Sequence, residues 1–519
     1  MNYFTLSKKS SIAYLLVSLL LVGGCASNRV NRQTYRPAKA RKVDKASQFL
    51  KVHMSNGYVY VLNSWEIDDT AGVKGDGKLF DYNRDLVKEG SFQIPFRDVS
   101  LFETNEVNPP PQIVAMSLVT GVSVALTLYC IANPKACFGS CPTFYVWDGK
   151  RMQVQAEGFS ASIAPALEER DIDALYLARP TNRDLEMWVT NEALETHVIR
   201  YAALLLARRT ENGRVFVTPS GEFYQTDSIS GPATATAEEG DCLGKLSAVD
   251  GNEYFSTADS ANLASTEEIQ LRFDRVPGGN LGLVLGYRQT LLTTFLFYQE
   301  LAYMGNSVGY WIAGLQQDKL GFAKAVKSQL WGALGAVEVL VQDKDGRWIK
   351  EGEVSEVGPI ATNVEMIPLN IALPESAKIK LRLTRGLWRL DYAALARITA
   401  RVEPERILPK SVVRGDSIVD NKAKEEMSGI AGPLVTLPGD KYSVIYRLPE
   451  DYRNYELFLD TKGYYLEWMR KEWADEENAG MALMMFSNPG KYLRILAPEF
   501  KKIEPQIERS FWSSKYVEH

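Results

Sequence analysis

Apolar and polar residues alternate in short runs over the first part of the chain. "FLKVHMSNGYVYVLNSWEI" (49–67) and "GSFQIPFRDVSLFETN" (90–105) show the two-residue period of half-buried strands, and Asn56-Gly57 sits between two such runs as a hairpin turn. The pattern predicts a small β module over 48–108. It then breaks: Ile113 to Ala132 carry no charge, which predicts an apolar helix over 112–133. Strand-like runs resume in "PTFYVWDGKRMQVQAEGF", with Asp148-Gly149 as a hairpin, and in "DLEMWVTNEALETHVIRYAALLLARR" and "GRVFVTPSG". These define a larger β region over 137–330, with loops at 219–266 and helices at 288–329 that break near Gly305-Asn306. A β-sandwich-like region over 331–450 follows, with Asp345-Gly346 at a hairpin tip and clean alternation from Ile379 to Leu383. "GYYLEWMRKEWADEENAGMALMMF" and "NPGKYLRILAPEFKKIEPQIERSFW" place helices in a C-terminal region over 451–519, broken at Pro489 and Pro498. The predicted class is α+β and mainly β: several β modules, one long apolar helix and a helical C-terminal region.

The first residues carry an address. Lys8 and Lys9 precede an apolar run, Ile12 to Val22, which is too short to span a bilayer and suits a signal peptide over 1–24. Val22-Gly23-Gly24-Cys25 matches the lipobox of bacterial lipoproteins. That resemblance implies cleavage before Cys25 and acylation of its thiol, which attaches a chain to a membrane surface through lipid. Ala26, rather than Asp, points to the outer membrane more than the inner one. Residues 25–47 are basic and almost without apolar residues, as expected of a flexible tether.

Composition changes this picture little. The net charge is -5, so nothing suggests a nucleic-acid partner. With Cys25 lipidated, Cys130, Cys137, Cys141 and Cys242 remain, an even number in an oxidising compartment. Three pairings are open; Cys137–Cys141, a tight "CFGSC" loop, with Cys130–Cys242 is the favoured one. Three histidines in the whole chain argue against a His-based metal site, and no metal or cofactor is expected.

"GSFQIPFRDVSLFETN", "SCPTFYVWDGK", "GYYLEWMRKEWADEENAGM" and "FKKIEPQIERSFWSSKY" together resemble a family of uncharacterised bacterial lipoproteins: a lipobox, an apolar segment followed by a Cys-Pro β block, and a helical tail. The resemblance implies architecture and address, and no catalytic residue. The alternation in 331–450 is also loosely similar to galactose-binding-like jelly rolls, a likeness of pattern that implies no sugar.

Four motifs compete with plainer readings. "GNSVG" (305–309) has nucleophile-elbow spacing, but its flanks read as helical and only His519 follows Ser307. "GVKGDGKL" (72–79) is one residue from a phosphate-binding loop, with Leu79 where Ser or Thr should stand, and reads as a glycine-rich hairpin. "RGD" (414–416) reads as a loop. Glu157, Glu168, Glu169, Asp171 and Asp173 are hard-oxygen donors, but their spacing matches no calcium loop and a solvated turn is the plainer reading. Among 64 acids, pairing any two as glycosidase carboxylates carries no information from sequence alone.

The apolar segment stays open. Twenty helical residues span about 30 Å, enough for a bilayer core. Ser117, Gly121 and Ala125 form a small-residue packing ridge. A membrane-embedded helix, a helix buried in the protein or an oligomer, and strands are the three alternatives. The functional expectation is a lipid-anchored cell-envelope protein that works by binding or assembly, with the membrane, an envelope protein or its own copy as partner. The alternatives are an envelope hydrolase acting on glycan or peptide, and a membrane-embedded assembly component.

Overall fold

Period-two alternation becomes antiparallel sheet wherever a second strand can cover the apolar face. The structure is a computed structural model that describes residues 29–108, 141–309, 332–468 and 476–514, apart from short breaks at 36, 44, 46, 48, 69–71, 82–85, 194, 356–357 and 416–417. Cys25, the 113–132 segment with Ser117, Gly121 and Ala125, and Cys130 and Cys137 lie outside the described residues.

The chain divides into two compact units. The smaller one is a six-stranded antiparallel sheet in the order Arg29–Tyr35, Val99–Asn108, Leu50–Met54, Val59–Asp68, Gly72–Phe80, Leu86–Pro95. Its first strand comes from the stretch read as tether. Leu50, Val52, Leu62, Val73, Ile94 and Phe102 are its buried core. The hairpin at Asn56-Gly57 is present, with Gly57 in the left-handed region (φ 81°). The sequence read as a near phosphate loop is the strand Gly72–Phe80. A side chain at Gly77 would collide with the Val61 carbonyl, so this glycine serves close strand approach.

The larger unit holds a closed five-stranded barrel: Arg214–Val217, Phe223–Ser230, Trp388–Val402, Leu281–Gln289 and Asn363–Pro368. Three further sheets belong to this unit. One has six strands and includes Thr143–Trp147, Met152–Glu157 and Asp184–Thr190; one is built on Glu195–Arg208, Tyr455–Glu467 and Glu169–Ala174; one includes Thr266–Phe273, Ala377–Thr384, Val337–Gln342 and Trp348–Val354. The hairpins at Asp148-Gly149 and Asp345-Gly346 form as expected.

The expected fold class is corrected in three respects. The expected long apolar helix has no counterpart among the described residues: no helix there is long and apolar enough to cross a membrane. Leu292–Met304 has 13 residues, about 20 Å of helix, and Pro489–Ser514 is long but carries charges along one face. Second, the C-terminal region is not helical throughout. "YELFLDTKGYYLE" (455–467) is a strand held on both sides, by Glu195–Arg208 and by Glu169–Ala174. The ladder to Glu195–Arg208 continues to Glu467 and outweighs the local helical pattern at Tyr464–Glu467. Among the described residues of this region, α-helix occurs at Ala479–Ser487 and Pro489–Ser514. Third, 331–450 is not a sandwich half of its own, because its strands are shared between the barrel and all three sheets.

The helices Leu292–Met304 and Pro489–Ser514 meet through Phe295 and Phe500, 5.1 Å apart, and Tyr303 and Tyr492, 6.4 Å apart. Glu504 fastens the last helix by accepting the Ala258 N–H at 2.8 Å.

Candidate functional site

Strand geometry puts alternate residues of "ERDIDA" on one face, so Glu169, Asp171 and Asp173 project together. The opposite face carries Arg170, Ile172 and Ala174. Arg170 turns to Asp460 of the adjacent strand, with Nε on Oδ1 at 2.7 Å and Nη2 on Oδ2 at 3.1 Å. Its charge is thereby taken up by a second carboxylate and does little to offset the acids on the other face.

Those acids open onto a cavity of about 200 Å³. Glu157 reaches it from Met152–Glu157, and Tyr287, Asn363 and Glu365 reach it from two strands of the barrel. Phe159, Ser160, Ser162 and Gly358 complete much of the wall. Of the five acids considered from sequence, Glu157, Glu169, Asp171 and Asp173 line this cavity. Glu168 pairs with Arg200 at 2.8 Å instead.

Backbone donors hold the carboxyls in place. The Phe159 N–H donates to Asp171 Oδ2 at 2.8 Å, and Phe159 itself is held in the left-handed region at φ 41°, an uncommon place for an aromatic residue. The Ile360 N–H donates to Glu157 Oε2 at 2.8 Å. Gly358 stands so close that a Cβ there would overlap the Glu157 carboxylate. The Tyr287 hydroxyl donates to Glu365 Oε2 at 2.5 Å. Asp173 differs: it is 7% exposed, and its Oδ2 has no hydrogen-bond partner among the described residues. A buried polar atom without a partner is uncommon and expensive, and it calls for an explanation.

Burial first, and mutual repulsion second, raise the proton affinity of these groups. Burial lifts Asp171 to about 6, against the opposing pull of the Phe159 and Ile172 amides and with help from Asp460 and Glu169. Burial lifts Glu365 to about 7, opposed by the Tyr287 hydrogen bond and assisted by Asp171. Asp173 goes well above the usual carboxylate range through burial and the charges of Asp171, Glu157 and Glu365. At neutral pH the cavity therefore presents carboxylic acids beside carboxylates: donors and acceptors together, with Arg170 as the one cation among the described lining residues. Among the described residues no group of three His, Cys, Asp or Glu has the geometry to hold a metal ion.

The other sequence candidates do not converge. Ser307 ends a short turn after the helix Leu292–Met304, with no strand before it, so the elbow geometry is missing. His197 is wholly buried on Glu195–Arg208, with Nε2 3.2 Å from Glu195 Oε2. Arg414 pairs with Asp440 at 3.3 Å. Cys141 and Cys242 are both buried, while their expected partners Cys137 and Cys130 lie outside the described residues.

Neither a family model nor a curated protein matches the chain. Among solved structures, it is similar at 9% identity to a β-porphyranase of glycoside hydrolase family 86 from the human gut bacterium Bacteroides plebeius, over 48% of this chain and 40% of that one, with a TM-score of 0.15. It is similar at 9% identity to the cycloalternan-forming enzyme from Listeria monocytogenes, over 68% of this chain and 30% of that one, with a TM-score of 0.16. The chain thus spans less than half the length of either protein, and at those TM-scores neither lends it a fold or an activity.

Proposed function

We propose that the chain is a lipid-anchored protein of the bacterial cell envelope, attached through Cys25 on the outer rather than the inner membrane, and that its larger unit binds a neutral, hydroxyl-rich ligand of the glycan class in the acidic cavity. The lipobox supports the address. The unpartnered Oδ2 of the buried Asp173, on the wall of a cavity, supports the binding.

Sugar hydroxyls both donate and accept, as neutral carboxyls do, so they complete such a wall without requiring ionisation. An anionic ligand meets five acids, and the Arg170 charge is already taken by Asp460. An ammonium ligand needs ionised carboxylates, which burial opposes. The volume, about 200 Å³, falls below the roughly 300–1,000 Å³ of drug-sized sites and suits one sugar ring.

Two measurements test this reading. A Cys25→Ser variant is expected to leave the membrane fraction; retention there removes the lipid-anchor reading. Calorimetry against neutral monosaccharides and short oligosaccharides should show binding that Gly358→Ala abolishes, because its new methyl displaces Glu157. Preferential binding of simple amines, or unchanged binding by Gly358→Ala, removes the glycan reading.

A further inference from the structure

Among the described residues, Cys141, Phe159, Asn182 and Arg183 are the non-glycine positions with a left-handed backbone, and of these four Phe159 lines the cavity. A bulky residue keeps such a conformation only where its surroundings over-determine it. The surroundings of Phe159 do so. On one side the Gly158 N–H donates to the Pro142 carbonyl at 3.0 Å. On the other, the Tyr465 hydroxyl donates to the Ser160 carbonyl at 3.0 Å, and the Tyr465 N–H to the Ser162 carbonyl at 2.9 Å. The Ser162 hydroxyl accepts the Glu169 N–H at 3.1 Å. The tip of the Phe159 ring lies against Gly463, where a Cβ would stand 2.7 Å from it. Between these fastenings the Phe159 N–H is aimed at Asp171 Oδ2, 2.8 Å away. A change of φ at Phe159 would rotate the peptide plane that carries this N–H relative to residues 160–162, and turn it away from Asp171.

We infer that Phe159 is a positioning residue for ligand binding in the cavity: its left-handed backbone, rather than its ring, holds the Asp171 carboxyl in the orientation that meets the ligand. The inference rests on the glycan-binding reading. Asp171 lies on the cavity wall with Oδ2 already on an amide, so its rotation is fixed before a sugar arrives. A side chain ordered in advance loses less freedom on binding, and the affinity gains by that amount.

Two substitutions separate backbone from ring. Phe159→Gly and Phe159→Val both remove the ring, but glycine adopts a left-handed backbone freely and a β-branched residue resists it. The full-length protein in detergent is measured in two ways. Calorimetry reads affinity for neutral monosaccharides and short oligosaccharides. Carbon-13 NMR, assigned with Asp171→Asn, reads the titration midpoint of the Asp171 carboxyl without sugar. Phe159→Val is expected to raise that midpoint above that of Phe159→Gly, because an amide hydrogen bond favours the ionised form. It is also expected to bind sugar at least ~10-fold more weakly than Phe159→Gly. Should either variant fail to fold by circular dichroism, Phe159→Asn and Phe159→Ala replace the pair, since asparagine tolerates the left-handed region better than alanine. Equal affinities in the two folded variants overturn the inference and leave the binding reading standing, as do equal Asp171 midpoints. Absence of binding by the unmodified protein to every sugar overturns both.

Discussion

The Tyr287 hydroxyl donates a 2.5 Å hydrogen bond to Glu365 Oε2 from the neighbouring barrel strand, and both residues are more than nine-tenths buried. Register explains the meeting: Tyr287 pairs with Asn363, and Glu365 lies two residues further along the same strand. The bond holds Glu365 on the cavity wall and partly counteracts the burial that raises its carboxyl to about 7.

Glu365 therefore makes stability depend on pH. Its folded value lies above the ordinary one, so its contribution is complete below about pH 4.5 and is lost as pH rises through about 7. The loss is on the order of 3 kcal/mol. Glu365→Gln should remove this slope between pH 4.5 and 7 in urea denaturation, and Tyr287→Phe should push its end to higher pH. An identical slope in Glu365→Gln and unmodified protein would show that this carboxyl titrates normally.

His197 works in the opposite direction. Burial lowers it to about 3, against the pull of Glu467 and Asp440. His197 Nε2 lies 3.2 Å from Glu195 Oε2, which also accepts the Cys141 N–H at 3.2 Å. A lowered folded value means stability is intact above about pH 6.5 and is lost as pH falls, by roughly 3 kcal/mol at pH 4.5. His197→Gln should flatten this acid limb. Denaturation midpoints from pH 4 to 7 provide the check, and a limb as steep in the variant as in the parent excludes the assignment.

Gly386 turns the chain from Ala377–Thr384 into Trp388–Val402 at φ 73°, where a Cβ would collide with the Ala258 backbone. Gly386→Ala should cost more than about 2 kcal/mol, combining left-handed strain with a backbone clash. Gly251→Ala, also left-handed (φ 81°) but facing open space, should cost only about 1 kcal/mol. Equal losses in thermal melts would mean the clash is relieved by movement of the Ala258 loop.

Glu504 links the last helix to that same loop, with Lys501 bonded to its other oxygen at 2.8 Å. Glu504→Ala leaves the buried Ala258 N–H unpaired and should cost about 1–3 kcal/mol. Glu504→Gln keeps an acceptor and should cost less. Hydrogen exchange at Ala258 and proteolysis within 489–514 measure the difference. Unprotected Ala258 in the unmodified protein would contradict the contact.

Local signals were legible where a few adjacent residues decide the outcome. Asn56-Gly57, Asp148-Gly149 and Asp345-Gly346 each supply a left-handed glycine at a tight turn, and each makes a hairpin. Tyr464 to Glu467 misled because their residues satisfy helical and strand periods alike, and pairing with Glu195–Arg208 settled the matter. The period-two spacing of Asp171 and Asp173 was also present in the text; read as a strand, it puts both acids on one face. Glu157, Tyr287 and Glu365 carried no such sign, since up to about 200 residues of chain separate them from each other.

Sequence alone determined what depends on neighbours along the chain: the hairpin turns, the mainly β character and the alternation that pairs two aspartates. Tertiary structure decided what depends on burial and long-range register: the closed barrel, the strand at 455–467 and the cavity where acids from three strands meet. The physical reason is that a carboxyl's protonation is set by its distance from water and from other charges, and those distances exist only after the strands have paired.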